Sequence, residues 1–291
     1  MELTPNDFPE LYDAANCASL NAQNYHLMII KAYLTLLVTG SVFTMYSDEI
    51  ENAPSFAIGI FLMTLLLSVL QAYKRFDKIW YNGRAVAESI KTRSWRYMMK
   101  AEPYQDVDDI NIVRAQFRSE LKEILKENKD LGDNLNPTKG LGESVTDKMN
   151  LIRSLDMEER LNIYRKERID DQRKWYARKA GINKRWATTW FCCVIVAHAF
   201  IIAFLIYKIT HPKLVLPTDA LIVIVGGIIT WTQVKKYHEL STVYMLTARE
   251  IGIIKGDSEE VKTESQLSDF VKDAENAFSR EHTQWFARKD S

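Results

Sequence analysis

Two groups of polar side chains recur at helical spacing inside otherwise apolar sequence, and a lone histidine stands in a third apolar run. Lys31, Thr35 and Thr39 fall at i, i+4 and i+8 within "LMIIKAYLTLLVTGSVFTMY", and Thr64, Ser68 and Gln71 form a second stripe within "PSFAIGIFLMTLLLSVLQAY". His198 stands near the middle of a third apolar run, "WFCCVIVAHAFIIAFLIY". Residues four apart share one helical face. Polar residues inside a membrane span usually face a bundle interior or water. The chemistry open to these stripes is therefore conduction, through a ladder of hydroxyls, one ammonium group and one imidazole. The competing reading is packing, with each hydroxyl bonded to its own backbone. Lys31 could also snorkel to an interface, because it lies only a few residues inside its island. His198 could equally be a satisfied packing histidine.

A second constellation mixes aromatic and charged residues. Tyr164, Arg168, Asp171, Gln172, Trp175 and Lys179 share one helical face, and Tyr81, Arg84, Glu88, Lys91 and Trp95 share another. Such faces are costly to bury unless partners are supplied. The expectation is a packed interhelical network. The alternative is a solvated helix with local ion pairs, each worth about 0.2–0.5 kcal/mol.

Signatures of catalysis are missing from the sequence. "GLGES" lacks the G-x-x-x-x-G-K-S/T pattern of a phosphate-binding loop, and no paired-cysteine zinc pattern or His-Glu-x-x-His motif occurs. Glu281 and His282 are adjacent, which denies them a shared helical face. No enzyme, metal site or cofactor is expected. Lys and Arg number 38 and Asp and Glu also 38, so net charge points to neither an acidic nor a basic partner. Cys17 is far from the adjacent Cys192 and Cys193, and no disulfide framework is visible. The acidic start "MELTPNDFPELYDAAN" lacks a basic segment, so no secretory leader is expected there.

The elements that must position these residues are four apolar islands. Residues 27–46 and 54–73 are each 20 long and are joined by the seven residues "SDEIENA". About 20 helical residues cross ~30 Å of hydrocarbon, so this pair reads as an antiparallel transmembrane hairpin. Residues 190–207 form the third island. The fourth has a core of only 12 residues, "ALIVIVGGIITW", and reaches spanning length over about 214–234. Paired with the third, it reads as a second hairpin. Trp and Tyr mark several island ends, as interfacial belts do.

Charge supplies an orientation. The segment 74–100 holds eight basic residues against two acidic, and 160–186 holds ten against three, whereas the first hairpin tip carries Asp48, Glu49 and Glu51. By the positive-inside rule both termini and the middle segment are expected in the cytoplasm. Membrane topology accounts for the basic runs, so no nucleic-acid partner is expected.

The chain also reads as a loose duplication. "WYNGRAVAESIK" follows the first apolar pair and "VYMLTAREIGIIK" the second, with Tyr81 and Ala85 matched by Tyr244 and Ala248. The expected halves are 1–135 and 147–291, joined by a Gly- and Pro-bearing linker at 136–146. "VDDINIVRAQFRSELKEILKENKDL" predicts an amphipathic helix with Ile112, Phe117, Leu121, Ile124 and Leu125 on its stripe. "QLSDFVKDAENAFSREHTQWFARK" predicts another, with Phe270, Ala274, Phe278 and Trp285 apolar. Thr146 is a plausible N-cap for a helix starting at Asp147. If that helix ran unbroken to Tyr207, its 61 residues would span about 90 Å. The fold class expected is an all-α membrane protein: two transmembrane helical hairpins continuous with a cytoplasmic helical bundle.

Three long motifs, "WYNGRAVAESIKTRSWRY", "YRKERIDDQRKWYARKAGIN" and "FSREHTQWFARK", resemble the SMODS- and SLOG-associating two-transmembrane effector domains, called SLATT, here in tandem. The resemblance covers nearly the whole chain. It implies a bacterial inner-membrane effector in a nucleotide-signalled defence system, acting as an oligomeric ion-conducting or permeabilising pore. It further implies membrane lipid and copies of the same chain as partners, with a nucleotide signal or a nucleotide-sensing protein upstream. The family carries no established catalytic residues. A non-conducting membrane scaffold that docks a cytoplasmic partner is the alternative.

Overall fold

The computed structural model describes residues 3–107, 109–132 and 142–287, except for the side chains of 130 and 280–287. Among them every regular element is helical. The long helices are α1 (Glu10–Met45), α2 (Ala53–Lys74), α3 (Phe76–Met98) and α4 (Ile110–Glu127), followed by a short turn, α5 (Lys129–Gly132). Then come α6 (Asp147–Ser154), α7 (Met157–Tyr164), a π-helical turn (Arg165–Asp170) and α8 (Asp171–Thr210). The chain closes with α9 (Thr218–Lys235), α10 (Tyr237–Asp257) and α11 (Glu264–Ala287). Most of the linker expected at 136–146, and the side chain of Trp285, lie outside the described residues.

By internal contacts the chain falls into two units. One, here the polar unit, is built from Met1–Gln23, Phe76–Tyr176 and Leu246–Ser291; the other, the apolar unit, from Asn24–Arg75 and Ala177–Met245. The four apolar islands all fall in the second unit.

Caps read from the sequence explain several boundaries. The Thr146 hydroxyl accepts from Met149 N at 3.2 Å and starts α6. The continuous helix from Asp147 to Tyr207 does not form. Leu155 leaves the helical region at ψ 160°, and the Asp156 carboxylate accepts from Glu159 N at 2.8 Å to start a new helix. The pattern Asp156-x-x-Glu159 is a helix-start signature. From Met157 to Thr210 the backbone stays helical for 54 residues, about 80 Å at 1.5 Å per residue.

Two breaks repeat between the halves. α2 ends where Arg75 turns left-handed at φ 45°, its N–H on the Gln71 carbonyl at 3.1 Å. α9 ends in the same way at Lys236, φ 48°, its N–H on Thr232 O at 2.9 Å. Glycine is the usual occupant of such a cap. A side chain there costs about 1–3 kcal/mol, which the surroundings must offset.

In the polar unit the core is aromatic and aliphatic. Trp95, Tyr97 and Met98 of α3 are fully buried, with Met99, Tyr104, Phe117 and Met149. Tyr97, Tyr104 and Phe117 form a ring triangle with centroids 5.2–6.1 Å apart. In α4 the buried stripe is Val113, Phe117, Leu121 and Ile124, whereas Ile112 is exposed. Asp109 caps this helix through Asn111 N at 2.9 Å, and Ile112, five residues before Phe117, falls off the stripe. In α11, Ala274 and Phe278 are buried as expected from periodicity, along with Leu267 and Val271.

Packing is tight where α3 passes α1. A Cβ built on Gly83 would lie 3.0 Å from Ser19 Cβ and 3.1 Å from both Ala15 O and Ser19 N. The Ser19 hydroxyl donates to Trp80 O at 2.8 Å across the same crossing.

In the apolar unit, α1 and α2 approach through Gly40. A Cβ there would meet the Phe61 ring at 3.0 Å and Ile60 at 3.3 Å. Phe43 and Phe56 pack at 5.7 Å beside it. α8 and α9 share a small core of Ala197, Ile201 and Val225, flanked by Val194 and Leu221. Three helical stretches among the described residues are long and apolar enough to cross a membrane: Glu10–Met45, Ala53–Met98 and Met157–Thr210. α9, at 18 residues, is about 27 Å long.

Candidate functional site

The polar unit contains a buried charged centre built on Glu275. This carboxylate is fully buried. Tyr164 Oη donates to Oε1 at 2.9 Å, and Thr92 Oγ1 donates to Oε2 at 2.9 Å. The Arg168 guanidinium donates to both oxygens, Nε to Oε1 at 2.9 Å and Nη2 to Oε2 at 2.8 Å. The pairing is bidentate, the geometry in which Arg recognises a carboxylate best. Arg168 is itself only 1% exposed, and its plane lies 4.9 Å from the centre of the Phe278 ring.

Electrostatics follow from burial. Burial opposes the Arg168 charge, but the Glu275 carboxylate outweighs it and holds the guanidinium above its usual range. Burial, with the neighbouring Glu275 charge, raises the Tyr164 phenol well above its ordinary value. Lys91 is pushed down by burial and then by the Arg168 charge.

Helix α7 supplies Tyr164, the π turn supplies Arg168, α3 supplies Thr92, and α11 supplies Glu275. The π turn is anchored at three of its residues. Besides Arg168, Arg165 Nε donates to Ser258 Oγ at 2.9 Å, and Asp170 pairs with Lys255 at 2.7 Å. Two more arginines are buried close by in sequence. Arg160 donates to Met99 O at 2.7 Å and pairs with Glu264. Arg153 donates to Tyr97 O at 2.7 Å, Tyr104 O at 2.8 Å and Asp106 at 2.7 Å. Each replaces lost water with carbonyl and carboxylate oxygens, the condition for burying a charge.

The residues of the two mixed faces are distributed as follows. Tyr164 and Arg168 reach the Glu275 centre. Trp95 packs edge-on against Tyr164 at 5.5 Å. Arg84 and Glu88 pair along their own helix at 2.7 Å, and Tyr81 stacks on Trp80 at 4.7 Å. Lys91 lies 6.0 Å from the Phe8 ring. Asp171 and Gln172 bond each other on the surface at 3.3 Å, and Trp175 meets Tyr176 edge-on at 4.9 Å. Lys179 belongs to the apolar unit, where its carbonyl accepts from Asn183 at 2.8 Å. Glu275, Thr92, Arg153 and Arg160 were not singled out from sequence. The available signal was Glu275 standing on the apolar stripe of Leu267, Val271, Ala274 and Phe278, where an acid needs a buried partner.

The stripes lie in the apolar unit. Lys31 is exposed, with Nζ 5.4 Å from the Trp231 ring centre, a cation–π distance. Thr39 Oγ1 donates to Thr35 O at 2.9 Å, Thr64 Oγ1 to Phe61 O at 2.8 Å and Ser68 Oγ to Thr64 O at 2.9 Å. Thr64 is buried, Thr35 is exposed and Gln71 is half-buried. His198 is exposed, with Nδ1 2.8 Å from Val194 O. The hydroxyls of Thr39, Thr64 and Ser68 thus bond to carbonyls of their own helices.

Among the described residues no group of His, Cys, Asp and Glu could hold a metal ion.

Comparison with curated proteins and with solved structures gives no match. Comparison with protein families gives two. Residues 9–161 match the SMODS and SLOG-associating 2TM effector domain 3, and residues 164–285 match the SMODS and SLOG-associating 2TM effector domain 1. Two such domains account for a helical membrane protein with an apolar pair in each half. With two-transmembrane effector domains matched end to end over nearly its whole length, the chain belongs to the SLATT family as a tandem member.

Proposed function

We propose that this protein is a membrane effector that assembles into an oligomeric pore, ion-conducting or permeabilising, in a nucleotide-signalled bacterial defence system. The observation that carries this reading is the exposure of the apolar helices. Within the most apolar window of Met157–Thr210 only 6% is buried by the chain itself, and only 17% in each of the other two spans. Such surfaces are covered by lipid or by other copies of the chain. Four spans from one chain rarely enclose a channel, so conduction requires several copies. The stripes through Lys31 and Thr64 then supply polar faces for a lumen.

The basic segments 74–100 and 160–186 favour a cytoplasmic polar unit and insertion in the inner membrane. There the polar unit would receive the signal, a nucleotide or a nucleotide-sensing protein. In this reading the protein turns over no substrate.

Flux through liposomes containing the purified protein tests the reading, first with ions and then with a small dye, with and without cyclic nucleotides. Flux above empty liposomes supports it, and the ratio of ion to dye flux separates a selective channel from a lytic hole. No flux from inserted, oligomeric protein would transfer the assignment to a non-conducting scaffold. The self-satisfied hydroxyls of Thr39, Thr64 and Ser68 favour that second reading.

A further inference from the structure

Between α8 and α9, within the apolar unit, lies an open groove of 1120 Å³. Its composition changes along its length. At one end it is lined by Gly181, Lys184 and Arg185, then by Thr188 and Thr189. Beyond these the wall is apolar, with Cys193, Val196, Ala197 and Phe200 from α8 facing Leu221 and Ile228 from α9. No acidic residue lines it. Lys184 and Arg185 are exposed, and neither has an ion-pair partner among the described residues. A Cβ built on Gly181 would meet nothing within 4 Å, so the polar end is open.

The depth of this end in a bilayer follows from its aromatics. Trp186 stacks on Trp190 at 6.2 Å and on Tyr237 at 6.5 Å. Trp and Tyr concentrate at the headgroup level, so Lys184 and Arg185 stand at the phosphate layer.

The length also matches a lipid. From Arg185 to Phe200 the helix rises about 22 Å at 1.5 Å per residue. One leaflet with its headgroup layer is half of ~40–45 Å, or about 20–22 Å. The groove is therefore one lipid long, cationic at the headgroup depth and apolar at the acyl depth.

We propose that the groove between α8 and α9 is a binding site for one anionic glycerophospholipid. Its phosphate is held by Lys184 and Arg185, and its acyl chains lie along Val196, Ala197, Phe200, Leu221 and Ile228. Arg185 offers a bidentate fork to phosphate oxygens, and Lys184 offers a point charge. A second copy of the chain would fill the apolar part equally well but would leave two unpaired cations at its end. That charge complementarity selects the lipid. The site is independent of whether the protein conducts.

The test uses full-length protein in nanodiscs of phosphatidylcholine with a minor share of phosphatidylglycerol. Lipid retained after extraction is counted by native mass spectrometry. Wild type is expected to retain phosphatidylglycerol over phosphatidylcholine by about 10- to 30-fold, the preference that two basic residues at the surface confer. The Lys184→Gln/Arg185→Gln variant should lose the preference while staying inserted. Val196→Trp, which fills the groove, should lose retention of both lipids. Equal retention of the two lipids by wild type would overturn the proposal, as would unchanged preference in the double variant. Oxidative Cys193–Cys193 cross-linking between copies at the same yield with and without phosphatidylglycerol would also overturn it, because it places a second copy in the groove.

Discussion

Removing the Glu275 carboxylate is the most informative perturbation of the polar unit. In Glu275→Ala, Arg168 keeps its charge, because its guanidinium cannot be neutralised in a protein. It is 1% exposed and loses both of its charge-assisted bonds. Tyr164 and Thr92 lose their acceptor as well. Hydrogen bonds to charged groups contribute about 1.5–3 kcal/mol each, yet the contributions do not simply add. Breaking one side of a buried pair costs about 3–5 kcal/mol. For a unit of this size each kcal/mol moves the melting temperature by about 2–4 °C, so the expected loss is about 6–20 °C. Thermal unfolding of purified protein in detergent, followed by circular dichroism, measures it. The second half of the experiment is Arg168→Met/Glu275→Leu. Replacing both members of a buried pair with apolar residues is often neutral or stabilising by about 1–4 kcal/mol. The double variant should therefore recover most of the loss suffered by the single one. If Glu275→Ala melts within about 2 °C of wild type, or if the double variant is no better than the single, the pair is not the buried, interdependent centre described above.

Other outcomes follow from the same structure. Gly83→Val should destabilise the polar unit by about 1–3 kcal/mol, since two of the three atoms nearest its Cβ are backbone and cannot swing aside; unfolding in denaturant at wild-type midpoint would refute the crossing. Tyr164, Tyr104 and Tyr12 are all raised, each chiefly by burial. Their stabilising share is fully present below the unfolded tyrosine value near pH 10 and is lost as pH climbs towards the folded values. A melting temperature that falls above about pH 10, less steeply in Tyr164→Phe, is the expected profile; a flat profile counts against it. Replacing Lys31, Thr35 and Thr39 together with Leu should bring liposome flux down to that of empty liposomes without loss of insertion. Unchanged conductance would remove this stripe from the lumen.

Much of this organisation was legible because bilayer thickness fixes a length. Twenty apolar residues in a row announce a helix whatever surrounds them, and the ends of α1, α2 and α8 lie close to the island ends read from sequence. Amphipathic helices were legible to within a turn. Periodicity identified the stripe through Phe117, Leu121 and Ile124 but took Ile112, five residues before Phe117, in place of Val113, which at four residues shares its face. The break at Leu155 was hidden by strong flanking helix formers, although Asp156 and Glu159 carried its signature. The Glu275 centre was out of reach for a different reason. A single face can show that Tyr164 and Arg168 need partners, but the carboxylate they find is more than 100 residues away. Pairing across that distance is a property of the packed fold and of no local pattern.

The Glu275 centre also bears on how such a chain can be inherited. Thr92 lies in the first matched domain, while Tyr164, Arg168 and Glu275 lie in the second. The two matched domains follow one another in sequence, but the buried centre is built from both. A gene split between the two matches would give one product with Thr92 turned toward an empty seam. The other product would carry an Arg168–Glu275 pair stripped of the α3 wall that covers it. Neither fragment is a smaller version of the whole. An exchange of one matched domain without the other would keep this interior only if Thr92, Tyr164, Arg168 and Glu275 were matched across the join.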